Sequence, residues 1–223
     1  MGLEPRPERV ERFKGIHQGE TIYVIGSGAS LNYIDPRVLA GHPVVTTNHI
    51  GVELGLTDFY CVSHYHIDAN LIAASHPHIP IIVPQVDQGG SQLADRVPEH
   101  PNVWAFPTNQ QQYGNFHPEL HWPTEPDSLV VGPTSLHMTM HFAQYLGASV
   151  IMLMGADCGI VDGEENRTGH DRGIGSPWGV WASALPLVAD RLRRMGTSVH
   201  SVNPWVNFGL EGHSYWSPTA TVN

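Results

Sequence analysis

The chain has 223 residues, 41% of them hydrophobic, and it carries 11 basic against 21 acidic side chains, for a formal net charge of −10. This length suits one domain with a sizeable core, and the hydrophobic content excludes a largely disordered chain. Only one basic residue, Arg96, lies between residues 38 and 166. The sequence therefore excludes an extended nucleic-acid surface, which needs a continuous track of Lys and Arg.

The single lysine and the two cysteines exclude further classes. Lys14 lies in a charged leader, residues 1–20, ahead of the first apolar run. A P-loop needs a lysine for its phosphates and a Schiff-base enzyme needs one as nucleophile, so neither class fits. Cys61 and Cys158 are too few and too far apart for a disulfide framework or a CxxC metal site. Because the sequence shows no signal peptide and no apolar run of about 20 residues, we expect a cytoplasmic protein.

Short apolar runs separated by helix-length connections dominate the first half of the chain. They cover residues 21–25, 43–47, 59–63, 79–83 and, more weakly, 103–106. Runs that are apolar throughout are typical of parallel strands buried on both faces. The sequence therefore predicts an α/β fold, with a mostly parallel sheet and helices on both of its faces.

The segment 107–128 interrupts this pattern with Pro, His, Gln, Asn and aromatic residues, and we interpret it as a lid-like insertion. The pattern then returns with a helix from Pro133 to about Leu146, a strand, a second helix opened by Ser176-Pro177, and a last strand. We therefore expect a single Rossmann-like domain over residues 21–205, followed by a tail at 206–223.

A glycine turn follows the first apolar run directly, as Gly26-Ser27-Gly28. Glycines at such a position let phosphate or sugar approach the N–H groups of the following segment. The turn is not a dinucleotide fingerprint, because Leu31 occupies the third glycine's position and no acidic residue ends the second run. That run ends in Asn48, which is suited to reading a base or a sugar hydroxyl at the carboxyl end of a strand.

Three later positions are also candidates for chemistry. Thr134 and Ser135 place hydroxyls at a helix start, which is either an anion site or ordinary helix capping. Asp157 ends the strongest strand and serves either as a ligand or as an acceptor for loop N–H groups. His170 lies in a polar, glycine-rich loop beside Asp171 and is suited to act as a general base.

Paired histidines recur in the first half of the chain, as His64-x-His66 and His76-x-His78. Residues two apart share a face of a strand, so each pair could chelate a metal. No third ligand stands at a fixed spacing from either pair, and we predict no bound metal.

Residues 19–35 resemble the opening of the bacterial lipooligosaccharide-type sialyltransferases, in which an apolar strand runs into Gly-Asn-Gly-Pro-Ser-Leu and then Ile-Asp. Their broader relatives include 6-hydroxymethylpterin diphosphokinase-like proteins. Further matches follow in the family's order, at Thr47-Asn48, Gly132–Ser135, Leu153–Asp157, Thr168–His170 and Val202–Pro204. Ser27 stands where the family has asparagine, and residues 158–169 lack the family's phosphate-binding tyrosines. Arg167 or Arg172 would take their place.

The resemblance implies an inverting, metal-independent glycosyltransferase that moves a sialic-acid-like sugar from a nucleotide-activated donor to a glycan or other hydroxyl acceptor. The donor would be a CMP-sugar, and no cofactor is needed. His170 would be the catalytic base, and Thr134 and Ser135 would hold the leaving phosphate. The rest of the donor site would comprise Gly26, Ser27, Gly28, Ser30, Asn48, Asp157, Arg167 and Arg172.

Two other functions stay open at this point. One is a pyrophosphokinase-like enzyme that uses ATP and magnesium, for which Asp157, Asp162 and Glu164 are the candidate metal ligands. The other is a non-catalytic module that binds a nucleotide or a carbohydrate. The sequence also leaves self-association into a homo-oligomer open.

Overall fold

The computed structural model describes residues 10–85, 100–108, 117, 121–169 and 178–202. Within these ranges seven strands form one sheet, and every neighbouring pair of strands is parallel. The strands are β1 (Thr21–Ile25), β2 (Val44–Thr47), β3 (Tyr60–Val62), β4 (Ile81–Pro84), β5 (Val103–Phe106), β6 (Val150–Met154) and β7 (Ser198–Ser201). Each coincides with an apolar run predicted as a strand, within two residues at its ends.

The order of the strands across the sheet is β5-β4-β3-β2-β1-β6-β7. Strands β1 to β5 therefore follow one another in order towards one edge of the sheet, and β6 lies on the other side of β1. This reversal is a topological switch point, and the crevice beyond the carboxyl ends of such strands is where open α/β sheets bind ligands. The last residues of the two strands, Ile25 and Met154, are register partners, so the turns that follow them lie side by side.

Helices cover both faces of the sheet, which confirms the Rossmann-like α/β prediction. Ile22 and Val24 belong to one buried cluster and Tyr23 and Ile25 to the other, because alternate residues of a strand point to opposite faces. The helices are α1 (Ile50–Glu53), α2 (His66–Ser75), α3 (Ser135–Tyr145) and α4 (Trp178–Arg194). The first cluster includes residues of α3 and α4, and the second includes residues of α1 and α2. None of these helices is both long and apolar enough to cross a membrane.

The first two connections are less helical than their length suggests. Between β1 and β2 the chain forms two short 3-10 turns, Ala29–Tyr33 and Pro36–Leu39. Between β2 and β3 it forms only the four-residue α1. In the first connection the Asp35 side chain accepts a hydrogen bond from the backbone N–H of Arg37, and Pro36 lies between these two residues. This local cap starts a new turn, so the connection does not form one continuous helix.

The described part of the leader, residues 10–20, packs into the domain. Val10 and Phe13 are buried, and the Phe13 ring centroid lies 5.2 Å from that of Trp104. The N–H groups of Gly15, His17 and Gly19 donate to the backbone carbonyls of residues 145–147. They thereby satisfy carbonyls at the end of α3 that have no partner within the helix.

Substituting Phe13 with leucine should lower the free energy of unfolding by about 1–2 kcal/mol, because the edge-on contacts with Trp104 and Phe142 are lost. Urea denaturation measures this effect. Ile16→Leu on the same segment is the matched control, since that side chain is 48% exposed and should change stability by less than about 0.5 kcal/mol. Equal stability of Phe13→Leu and the wild type would contradict the packing of the leader described above.

The insertion expected at 107–128 is described only at residues 107–108, 117 and 121–128. Trp122 stacks on His141, and the Asp127 carboxylate contacts both Lys14, at 2.8 Å, and the Tyr145 hydroxyl, at 2.7 Å. Tyr145 ends α3 at the amino edge of the sheet. Residues 121–128 therefore do not lie over the carboxyl edge, where a lid on the predicted site would have to close.

Candidate functional site

A cavity of about 470 Å³ opens at the carboxyl edge of the sheet, beside the switch point between β1 and β6. Its wall combines the turns that follow β1, β2 and β6 with the starts of α2 and α3. Residues from four of the five predicted motifs meet there, although they are far apart in the sequence. These motif residues are Gly26, Ser27, Gly28, Asn48, Thr134, Ser135 and Asp157.

The glycine turn packs tightly against the turn that follows β6. The N–H of Gly26 donates to the carbonyl of Met154, and the N–H of Gly28 donates to that of Gly155. A Cβ atom on Gly26 would lie 2.5 Å from the Gly155 oxygen, and one on Gly28 would lie 2.5 Å from Oδ2 of Asp157. Both positions therefore require glycine for the contact between the two turns, before any ligand is considered.

The Asp157 carboxylate makes hydrogen bonds with another residue of the protein, Ser30. Its side chain is buried, Oδ2 accepts the N–H of Ser30 at 2.8 Å, and Oδ1 accepts the Ser30 hydroxyl at 2.5 Å. Of the two roles that the sequence left open, the structure shows the acceptor for loop N–H groups. Ser30 is fully buried behind the glycine turn and is not among the described residues that line the cavity, so its contact with a nucleotide stays a prediction. The two hydrogen bonds between Asp157 and Ser30 hold the glycine turn in place.

Asn48 lies in the cavity wall in a strained backbone conformation. Its φ angle is +51°, in the left-handed region that asparagine tolerates better than most residues. Its N–H donates to the Val62 carbonyl, its carbonyl accepts the Cys61 thiol, and its Oδ1 accepts the Ser63 hydroxyl at 3.3 Å. These contacts with β3 orient the side chain at the end of β2.

The start of α3 is capped by its own side chains. Oγ1 of Thr134 accepts the N–H of Leu136 at 3.1 Å, and Nδ1 of His137 accepts the N–H of Thr134 at 3.2 Å. The structure thus shows the capping role of Thr134 that the sequence left open. Thr134 and Ser135 also line the cavity, so the positive end of the α3 dipole faces it.

The loop after β6 returns to the glycine turn. The Ser27 hydroxyl donates to Oδ1 of Asn166, and the N–H of Arg167 donates to the Ser27 carbonyl at 2.8 Å. Arg167 is not part of the cavity wall, and its guanidinium lies 4.0 Å from the Glu53 carboxylate. His170 and Arg172 lie outside the described residues.

The wall residues that were not predicted as site residues include Tyr65, Ile67 and Asp68 from the start of α2, and Trp181 from α4. The sequence did contain a signal for the first three. They follow the carboxyl end of β3, and the rule that selected Asn48 after β2 applies there as well. Trp181 follows the apolar periodicity of its helix, and periodicity cannot separate a residue facing the core from one facing a cavity.

The described part of the cavity wall is acidic. It carries Asp68, Asp157 and Glu165, and its described lining includes neither Lys nor Arg. Cys158 also lines the cavity, and burial, followed by the charge of Asp157, raises the pKa of its thiol to about 12, so it is not a ready nucleophile.

The histidine pairs contact protein groups. Nε2 of His64 lies 3.0 Å from the Met138 sulfur, and Nε2 of His78 lies 3.2 Å from the Thr57 carbonyl. Of the magnesium ligands considered for a pyrophosphokinase, Asp157 binds Ser30 and Asp162 accepts the Tyr33 hydroxyl. The described ranges contain no group of three or more His, Cys, Asp and Glu residues that could hold a metal ion.

Two buried histidines should make the fold sensitive to acid. Burial, assisted by the neighbouring His64, lowers the pKa of His137 to about 3, and burial with the nearby Arg191 charge lowers that of His141 to about 3. Each Nδ1 accepts a backbone N–H, which only the neutral ring can do at that atom. The unfolded chain takes up these protons near pH 6.5, so stability is complete above that pH and is lost as the pH falls towards 3.

We expect each histidine to remove roughly 1 kcal/mol of stability per pH unit below 6.5. Urea denaturation at pH 7.5 and 5.5 measures the loss, which should be about 2–3 kcal/mol for the pair. His141→Gln keeps an acceptor for the N–H of Val130 and should roughly halve the pH dependence. An unchanged pH dependence in this variant would contradict the role given to His141.

No family model and no curated protein matches the chain. The resemblance to the sialyltransferase group therefore rests on the ordered motifs and their meeting in one cavity. Both support the proposal that follows.

Proposed function

We propose that the protein is an inverting, metal-independent glycosyltransferase that transfers a sialic-acid-like sugar from a nucleotide-activated donor, a CMP-sugar, to an acceptor hydroxyl. The observation that carries the proposal is the cavity at the switch point. It joins the glycine turn, Asn48 and the start of α3, which are distant in sequence and lie in the order of the resembled family.

Each part of the wall has a role in this proposal. The Asn48 amide donates to or accepts from the base or the ribose of the donor. The leaving phosphate lies against Thr134 and Ser135, where the dipole of α3 stabilises the charge that develops as the glycosidic bond breaks. The carboxylates of Asp68 and Glu165 repel the phosphate, so the phosphate stays at the start of α3. Uncharged parts of the substrates then lie beside these two carboxylates.

His170 is the base that takes the proton of the acceptor hydroxyl in this proposal, and Arg172 adds positive charge for the phosphate. Both assignments come from the resemblance, since these residues lie outside the described ranges. Arg167 is held near Glu53 and would contribute only after leaving that contact. The free thiols of Cys61 and Cys158 accord with the reducing, cytoplasmic location we propose.

A thermal-shift screen with CMP, UDP, GDP, ATP and CMP-sugars tests the donor site. A ligand present at about 100 times its dissociation constant adds about 2.7 kcal/mol to the free energy of unfolding, which is readily detected. We expect CMP and CMP-sugars to raise the melting temperature. If none of these compounds does so, the proposal fails.

The same screen separates the two other functions. A shift with ATP that requires magnesium would favour pyrophosphoryl transfer. Binding of a nucleotide without turnover of any donor would favour a non-catalytic module. The glycosyltransferase proposal predicts turnover with magnesium removed by a chelator.

A further inference from the structure

Three side chains form a chain of hydrogen bonds that ends at the cavity wall. Nε2 of His49 lies 2.7 Å from a Glu53 carboxylate oxygen, and Nδ1 of His49 lies 3.2 Å from Oδ1 of Asp68. Asp68 is only 7% exposed, and what remains exposed lines the cavity. The proposed function gives His49 and Glu53 no role in binding and uses Asp68 only for its negative charge.

The local sequence explains how this arrangement is built. His49 follows Asn48 at the carboxyl end of β2 and caps α1, and Glu53 lies one helical turn later at i+4. Asp68 lies in the first turn of α2, beyond the neighbouring strand β3. Two adjacent crossovers of the sheet thus bring a histidine between two carboxylates at the edge where ligands bind.

This geometry fixes the direction of the Asp68 carboxylate. His49 lies between the two carboxylates, and its Nδ1 is within hydrogen-bond distance of Oδ1 of Asp68, so the ring holds that carboxylate oxygen in place. A carboxylate has about four acceptor positions, so it can accept hydrogen bonds from a histidine and from a ligand hydroxyl together. The neighbouring wall residues Tyr65 and Ile67 are uncharged and half or more exposed, so they offer an uncharged surface beside the carboxylate.

We propose that Asp68 accepts a hydrogen bond from a hydroxyl of the acceptor next to the one that reacts, and that His49 and Glu53 are positioning residues that keep its carboxylate directed into the cavity. The inference rests on the proposed function, since it assigns the acceptor side of the same site. The acidic wall further selects an acceptor that is uncharged around its reacting hydroxyl, because a carboxylate or phosphate there would be repelled by Asp68 and Glu165.

The test compares wild type, Asp68→Asn, His49→Gln and the control Asp190→Asn, whose carboxylate is about half exposed on α4. The assay follows CMP release from CMP-N-acetylneuraminate with methyl β-galactoside, lactose or methyl β-galacturonide as acceptor. Asp68→Asn should lower kcat/KM for the neutral acceptors by about 10- to 100-fold, the loss expected for a charge-assisted hydrogen bond. His49→Gln should raise the acceptor KM with the donor KM unchanged, and Asp190→Asn should behave as wild type.

Wild type should also prefer the neutral galactoside to its carboxylate analogue, and Asp68→Asn should narrow that preference. An unchanged acceptor kcat/KM in Asp68→Asn would overturn the assignment. So would a loss confined to the donor KM, which would place Asp68 on the donor side.

A second measurement keeps the inference testable if the proposed function itself fails. Ligand-observed NMR detects binding of methyl β-galactoside and lactose directly, without any donor. Binding by wild type that Asp68→Asn loses would support the hydroxyl site even in a chain that turns over no donor. Absence of glycoside binding to wild type would overturn the acceptor site at Asp68. A thermal shift with CMP would still support the donor site in that case.

Discussion

Replacing Asp157 with alanine is expected to lower the free energy of unfolding by about 3–5 kcal/mol. The change leaves both the N–H and the hydroxyl of Ser30 buried without the carboxylate that accepts them, and hydrogen bonds to a charged group contribute about 1.5–3 kcal/mol each. The glycine turn loses its anchor at the same time, so nucleotide affinity should fall with stability. Urea denaturation and calorimetric titration with CMP measure the two effects.

Asp190→Ala is the matched control, because that carboxylate is about half exposed and contacts only nearby arginines of its own helix in the described structure. It should change stability by less than about 0.5 kcal/mol. An Asp157→Ala protein as stable as wild type but unable to bind CMP would show that the carboxylate serves as a ligand group instead of anchoring the turn.

Replacing His170 with alanine is expected to lower turnover of a CMP-sugar by about 10²- to 10⁴-fold, the contribution of a general base to catalysis. Donor affinity should stay within about twofold, because the proposed proton transfer involves the acceptor and not the nucleotide. The effect should appear in kcat measured by CMP release at saturating acceptor. His200→Ala is the control, since His200 is an exposed residue of β7.

A His170→Ala protein with the turnover of wild type would exclude this residue as the base. Loss of CMP binding together with turnover would instead place His170 on the donor side of the site. The two results are separated by calorimetric titration of CMP into the same variant.

The sheet could be predicted from the sequence because its strands are uninterrupted β-branched and apolar runs. A run such as residues 150–154 is buried on both faces only in a parallel sheet covered by helices, and each strand fell within two residues of its prediction. The first crossover could not be predicted in detail. Its length permits a helix, but the cap at Asp35 and Pro36 divides it into two short turns.

The meeting of the glycine turn, Asn48 and the start of α3 at one cavity could be predicted from the sequence, but the contacts that each residue makes there could not. Glycines after β1 and an amide after β2 point to the carboxyl edge from strand order alone. Whether Asp157 faces a ligand or Ser30 depends on how two turns pack against each other, and no local pattern encodes that contact. The position of Asp68 after β3 could have been selected by the rule that selected Asn48, but its approach to His49 arises from two separate crossovers and has no local signature.

The most direct test of the central claim is an NMR assay that follows the anomeric configuration of the product formed from a CMP-sugar and lactose in the presence of EDTA. The account predicts CMP release coupled to glycoside formation with inversion at the anomeric carbon, without added metal. No release from any donor of the nucleotide panel, or turnover that requires magnesium, would contradict it.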